Sequence, residues 1–273
     1  MPTDLSKLCV HTITTKPWSL DVAVDKYAAA GVAGISVWQD AATSVGLTQA
    51  RRILEASPLE VVSYVRGGFF PNHSREERAR ALDKNRQLID EAATLGAPLL
   101  VLVCGAEPRQ PLAESRRQIQ EGIESLIDHA TSNGVKLAIE PLHPMYADTR
   151  SAISTLGQAN DIAEAIDHPQ VGIAVDVYHL WWDDRLEQEI ARCGKNDNLY
   201  AFHICDWKVP TSDMLLDRGL MGEGCIDVPL IRSWVEAAGF RGYNEVEIFS
   251  NDYWAMEQDD FLARITDAYR AHS

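Results

Sequence analysis

The chain has 273 residues, 46% of them hydrophobic and 24% charged, with a formal net charge of −15 and a pI near 4.9. That is an ordinary soluble globular composition, and the length is ample for a sizeable core. The acidic balance, with no basic run, speaks against nucleic-acid partners, whose phosphates need Lys and Arg to displace counterions, and against anionic membranes.

No apolar run approaches the length of a membrane-spanning helix, and MPTDLSKLCVHT lacks the long apolar stretch of a signal peptide. Five cysteines, Cys9, Cys104, Cys193, Cys205 and Cys225, make an odd count without a CxxC pair. A disulfide framework is therefore not expected, and a reducing, cytoplasmic setting is. Cys9, Cys104 and Cys205 sit in apolar runs and read as small core residues.

Along the chain, short apolar or β-branched runs fall at residues 8–12 (LCVHT), 34–38 (GISVW), 60–65 (EVVSYV) and 98–104 (PLLVLVC). Four more follow at 136–140, 171–177, 199–205 and 243–249. Between them lie stretches with helical spacing. One opens on the capping-box pattern Ser74-Arg75-Glu76-Glu77, repeats Leu82, Leu88, Ile89 and Ala92 on one face, and stops at Gly96. Another carries Ile119, Ile123, Leu126, Ile127 and Ala130 and closes at Asn133-Gly134. A third starts near Asp252 and carries Phe261, Leu262 and Ile265. Eight strands alternating with helices predict parallel βα units. With no glycine-rich dinucleotide turn after the first strand, the count predicts an α/β fold, a single (β/α)8 TIM barrel forming one domain over residues 1–273.

In such a barrel the active site lies at the C-terminal ends of the strands. The last four runs end in Glu140, Asp176, His203 and Glu247. Neighbouring strands are only about 5 Å apart, so these side chains are predicted to converge in the barrel mouth. Parity agrees: Ala138, Ala174 and Ala201 stand two residues earlier, small enough for a crowded interior. The eighth run has Glu245 there instead. Either Glu245 is a buried, hydrogen-bonded carboxylate or the strand is bulged, and Glu245 is an alternative to Glu247 as a ligand. Three carboxylates and an imidazole form a hard donor set that suits one divalent metal ion, Mn²⁺ first, then Mg²⁺ or Co²⁺, with Zn²⁺ also accommodated.

The segments IEPLHP, DVYH, FHICD and EVEIFS resemble the motifs of the xylose-isomerase-like sugar isomerases and epimerases, the group of tagatose 3-epimerase, inosose-processing enzymes and hydroxypyruvate isomerase. The resemblance is best over residues 98–255. It implies that Glu140, Asp176, His203 and Glu247 bind the metal and that Glu140 and Glu247 are the acid/base pair. It further implies that His179 and Arg218, the latter before the Gly222-Glu223-Gly224 turn, bind substrate oxygens. More residues separate His203 from Arg218 here than in compact epimerases, and a surface role for Arg218 is the alternative. The endonuclease branch of the fold needs further histidines after strands two to four and an Asp-x-His after strand seven. Those strand ends read VWQD, YVRGG and CGAEP, and no Asp-x-His occurs.

The expected reaction is isomerisation or epimerisation of a small sugar, keto-sugar or cyclitol. A carbon acid beside a carbonyl is too weak to ionise unaided; a divalent ion stabilises the enediolate, and two carboxylates move the proton. A lyase acting on a related sugar is the alternative, and a non-catalytic carbohydrate-binding barrel would need a broken ligand set. An unphosphorylated substrate is expected, since GEG is a common turn and no phosphate cradle is visible. Further substrate-binding candidates are His143, Arg66 (to clamp a carboxylate or a hydroxyl pair), Trp38 (to stack on a sugar) and His11. Each has a structural alternative: a loop cap, a surface arginine or packing. Glu107 lies either behind the site or in a loop, and Trp181 and Trp182 line the rim or a subunit contact in a homo-oligomer.

Overall fold

Each of the eight apolar runs forms a strand in the computed structural model of the chain, which describes residues 4–273. They are β1 (Leu8–His11), β2 (Gly34–Trp38), β3 (Glu60–Gly68), β4 (Leu99–Val103), β5 (Lys136–Glu140), β6 (Val171–Asp176) and β7 (Leu199–Ile204). After a two-stranded excursion, β8 (Asp206–Trp207) and β9 (Arg218–Gly219), the eighth barrel strand is β10 (Asn244–Val246). Every neighbouring barrel pair is parallel, and β10 pairs with β1 to close the cylinder. With helices around it, the architecture is a (β/α)8 barrel, as the alternation predicts.

The eighth strand is shorter than its apolar run because a side chain replaces the ladder. Thr14 Oγ1 donates to Val246 O at 3.0 Å and accepts from Ile248 N at 3.0 Å. The helix Arg75–Leu95 has the predicted ends: Ser74 Oγ accepts from Glu77 N at 3.3 Å, and Gly96 takes φ +76°. The second helical stretch is two helices, Leu112–Glu124 and Ile127–Asn133. At the break, Ser125 Oγ bonds back to Glu121 O at 2.7 Å and Leu126 N reaches Ile123 O, a tighter turn than the α-helix. The C-terminal stretch is likewise Asn251–Trp254 and Gln258–His272, with Gln258 Nε2 donating to Tyr253 O and Met256 O at the junction.

Strand parity sorts the core into two layers. Leu100, Leu102, Leu137, Ile139, Val175 and Phe202 face outward and pack under the helices. Val65, Leu99, Val101, Ala138, Ala174 and Ala201 fill the cylinder. The three alanines leave space beneath the mouth, and the layer above them is polar. The cysteines in apolar runs, Cys9, Cys104 and Cys205, are buried free thiols. Among the described residues, no helix is long and apolar enough to cross a membrane.

Candidate metal centre

Glu140 and Asp176 are the last residues of β5 and β6, His203 is the penultimate residue of β7, and Glu247 follows the end of β10. In register, Asp176 lies opposite His203, and His203 lies opposite Glu245, two residues before Glu247. One donor atom from each of Glu140, Asp176, His203 and Glu247 lies within 4.8 Å of every other, and all four residues are buried. Convergence of donors so far apart in sequence follows from strand spacing and parity, as argued from the apolar runs.

Glu245 is the buried, hydrogen-bonded carboxylate of the two alternatives. Its Oε2 accepts from Ser36 Oγ at 2.5 Å, Ser63 Oγ at 3.1 Å and His11 Nε2 at 3.2 Å. Burial pushes its carboxyl upward, but His203, His11 and Ser36 outweigh burial and hold it below the ordinary value. His11 has its other nitrogen 3.3 Å from Glu247 Oε1, and Trp38 Nε1 donates to that same Nδ1 at 3.1 Å. His11 thus lies between the two glutamates behind the cluster: with Nδ1 accepting from Trp38 its proton sits on Nε2 toward Glu245, and a proton on Nδ1 would turn it toward Glu247 instead.

His203 faces two ways. Nδ1 lies 2.9 Å from Glu140 Oε1, and Nε2 points to Glu245 Oε2 at 3.8 Å. Burial lowers the imidazole pKa, but Glu245, Glu140 and Glu247 more than reverse this and hold it up at about 10. Burial likewise raises Asp176, and Glu247 and Glu140 add to the rise against the pull of Arg218. Asp176 Oδ1 also accepts from Tyr178 N at 2.7 Å and so caps the turn that carries His179. Glu247 goes the other way: burial raises it, but Arg218 and His11 hold it well below the carboxylate range.

Arg218 comes from β9, inside an excursion that the sequence reading missed. It is 3% exposed, so the surface alternative does not hold. Nη1 donates to Glu247 Oε2 at 2.8 Å and lies 3.5 Å from Asp176 Oδ2, while Nη2 meets His179 Nε2 at 3.2 Å. Tyr178 and Phe249 rings cover its two sides at 4.4 and 4.9 Å. Asp206 holds the excursion together: its carboxylate accepts from the backbone N–H of Gly222 (3.0 Å), Gly224 (2.8 Å) and Ile226 (2.9 Å). The Gly-Glu-Gly turn wraps that carboxylate, and a Cβ on Gly224 would sit 2.0 Å from Trp207 O. The only sequence signal was an aspartate immediately after an apolar strand, followed at distance by two glycines.

The donor chemistry fits a cation. Three buried carboxylates converge with the Arg218 guanidinium and the His203 imidazole, and a cation among them offsets the cost of burying like charges together. His179 Nδ1, His203 Nε2, Arg218 Nε and Glu245 Oε1 are all buried without a hydrogen-bond partner. His203 is arranged so that a proton on Nε2, facing Glu245, leaves the Nδ1 lone pair aimed at the carboxylates, the usual support for an imidazole ligand.

Of the other expected residues, Trp38, Arg66, His179 and Arg218 line a cavity of about 30 Å³ together with Glu140 and Glu247. His143 lies outside that lining; its Nδ1 accepts from Met145 N at 3.3 Å and caps the turn Pro144–Tyr146. Glu107 is held by Arg109 at 2.7 Å, away from the cluster. Trp182 Nε1 donates to His179 O at 2.8 Å, and Trp181 packs on Trp207 at 5.7 Å. Tyr146, Arg150 and Phe249 line the cavity and were not singled out from sequence. Tyr146 and Arg150 lie in a loop without periodicity, and Phe249 was read only as strand.

A crystal structure of a protein from Sinorhizobium meliloti 1021 superposes with a TM-score of 0.95 at 46% identity, covering 98% of this chain and 99% of that one. A crystal structure of IolI protein with a binding zinc atom gives a TM-score of 0.84 at 19% identity, covering 96% of each chain. Inosose isomerase of Bacillus velezensis is 25% identical over 199 residues, 71% of this chain and 69% of that protein. The family model described as xylose isomerase-like TIM barrel matches residues 24–265. With nearly the whole barrel inside that match, the chain belongs to the xylose isomerase-like TIM barrel family.

Proposed function

We propose that the protein is a divalent-metal-dependent isomerase or epimerase of a keto-sugar or cyclitol. The observation that carries the reading is the meeting of Glu140, Asp176, His203 and Glu247 within 4.8 Å at the mouth of the barrel. The similarity to inosose isomerase supports the substrate class. These four residues would hold the ion, which when bound supplies Lewis-acid polarisation of a substrate oxygen.

The chain's own groups do the rest. Glu247, held ionised by Arg218 and His11, is suited to accept a proton from the carbon beside a carbonyl. Glu140, on β5, three strands round the barrel from β10, is suited to return it. Each positioned carboxylate is worth roughly 10²–10⁴ in rate. His179 is kept neutral, since burial and Arg218 both push its pKa well down. With Nε2 accepting from Arg218, its Nδ1–H is a buried donor lacking an acceptor, suited to a substrate oxygen. A 30 Å³ cavity has room for about one water, so entry requires the loops to part. They are joined where Tyr146 Oη and Tyr178 Oη donate to Met214 O at 3.1 and 2.8 Å.

The test is incubation of metal-loaded protein in D₂O with inososes and ketoses. Deuterium uptake beside the carbonyl without loss of mass identifies isomerase or epimerase chemistry; loss of water or another fragment identifies a lyase. Glu140→Gln is expected to abolish exchange while leaving metal content intact. Normal exchange in that variant at unchanged occupancy would refute the acid/base assignment.

A further inference from the structure

Two arginines at the cavity have no anionic partner. Arg66, near the end of β3, and Arg150, in the loop after β5, both line the small cavity that contains Glu140 and Glu247. Both are partly buried. Neither forms a hydrogen bond through its guanidinium or an ion pair within 4.0 Å among the described residues. The other partly buried arginines, Arg78, Arg86, Arg116, Arg192 and Arg232, and the buried Arg218 each donate to a carboxylate or a backbone carbonyl. In a chain with 40 acidic and 25 basic residues, an unpaired cation in a pocket is not for want of partners.

Aromatic faces hold these guanidiniums instead. Arg66 lies 5.5 Å from the Trp38 ring and 5.2 Å from the Phe69 ring, and Arg150 lies 5.3 Å from the Tyr146 ring. Stacking orients a guanidinium while leaving its N–H edge unused. Burial lowers the Arg66 pKa most and the like charge of Arg150 lowers it further, so the two heads are near enough to repel; the carboxylates of Glu247, Glu140 and Asp40 pull the other way without reversing the shift. Two cations kept half-dry, mutually repelling and unpaired are stabilised by an anion that enters between them.

We propose that the substrate carries a carboxylate, held by Arg66 and Arg150, so that the protein acts on a sugar acid or cyclitol acid rather than a neutral ketose. A carboxylate matches the fork of a guanidinium in two parallel hydrogen bonds. A phosphate ester is disfavoured because phosphate sites usually add backbone N–H groups of a helix start or glycine-rich turn, and none lines this cavity. The proposal rests on the catalytic reading for its substrate backbone, but its test does not depend on turnover.

The experiment is calorimetric binding at matched ionic strength, on metal-loaded and on chelator-stripped protein. The probes are D-fructuronate against D-fructose and D-fructose 6-phosphate, and quinate against myo-inositol. At least one carboxylate is expected to bind about tenfold or more tightly than its neutral partner, the worth of one hydrogen bond to a charged group. Arg66→Gln and Arg150→Gln each lose that advantage, Arg66→Lys keeps part of it, and Arg52→Gln, exposed on the helix Leu47–Glu55, keeps all of it. Melting curves establish that each variant is folded. Equal binding of neutral partners, preference for the phosphate ester, absence of carboxylate binding, or an advantage that survives both glutamine variants overturns the proposal. Metal content and deuterium exchange on the same preparations report separately on the metal-dependent reading. Loss of metal binding with the carboxylate advantage intact would sink that reading alone.

Discussion

Glu245→Gln tests whether Glu245 supports the proposed ligand His203 or is itself a ligand, since Glu245 also lies with His11 and His203 in a second group of converging donors. Glu245 Oε2 accepts three hydrogen bonds, from Ser36, Ser63 and His11, and faces His203 Nε2 at 3.8 Å. Glutamine keeps the shape and one acceptor oxygen but not the charge. A hydrogen bond to an ion is worth about 1 kcal/mol more than a neutral one, so three weakened bonds come to about 3 kcal/mol. Removing a buried negative charge from beside Glu247 and Glu140 gives back part of that, and a net loss of about 1–2 kcal/mol in the stability of metal-free protein is expected. The larger consequence passes through His203. Without an anion behind Nε2 the imidazole is a poorer donor at Nδ1, and loss of such a partner costs about 10–100-fold in metal affinity. Competition with a fluorescent chelator for Mn²⁺ and Zn²⁺ measures that factor, and urea unfolding of stripped protein measures the stability. Glu247→Gln is expected to weaken the metal further than Glu245→Gln does. Wild-type affinity in Glu245→Gln, or a loss equal to that of Glu247→Gln, would refute the division of labour argued here.

Metal affinity is expected to rise with pH. His203 is held up at about 10 in the ion-free site, so at pH 8 binding must displace its proton, and the apparent association constant gains about tenfold per pH unit until that proton is gone. Calorimetry in buffers of different ionisation enthalpy counts the released protons, and a count of zero contradicts the arrangement. Arg218→Met removes the charge that holds Glu247 low, so the acid limb of the deuterium-exchange profile shifts upward by about 1–3 units; an unmoved limb would show that Glu247 is not the base it reports. Asp206→Ala leaves the N–H groups of Gly222, Gly224 and Ile226 without their acceptor, and a loss of about 3 kcal/mol in urea unfolding is expected. A change under about 0.5 kcal/mol would mean that the turn is not held by that carboxylate.

The barrel and its cluster were legible because both depend on short-range regularities. Eight apolar runs at regular spacing require eight strands, and parity within each run fixes which side chain faces inward. The convergence of Glu140, Asp176, His203 and Glu247 therefore follows from the sequence pattern alone. The same parity put Ala138, Ala174 and Ala201 in one interior layer, where they are.

What sequence left open was settled by contacts between segments with no periodicity linking them. Whether Glu245 marked a bulge or a buried, hydrogen-bonded carboxylate depended on hydroxyls from β2 and β3, at sequence separations of 209 and 182. Whether Arg218 was surface or site depended on how a loop of irregular backbone folds around Asp206. The unpaired state of Arg66 and Arg150 is a statement about missing neighbours, which no local pattern encodes. Periodicity determines which way a side chain points; only the packed tertiary structure decides what it meets there, because partners remote in sequence are brought together by the global free-energy minimum and not by propensity.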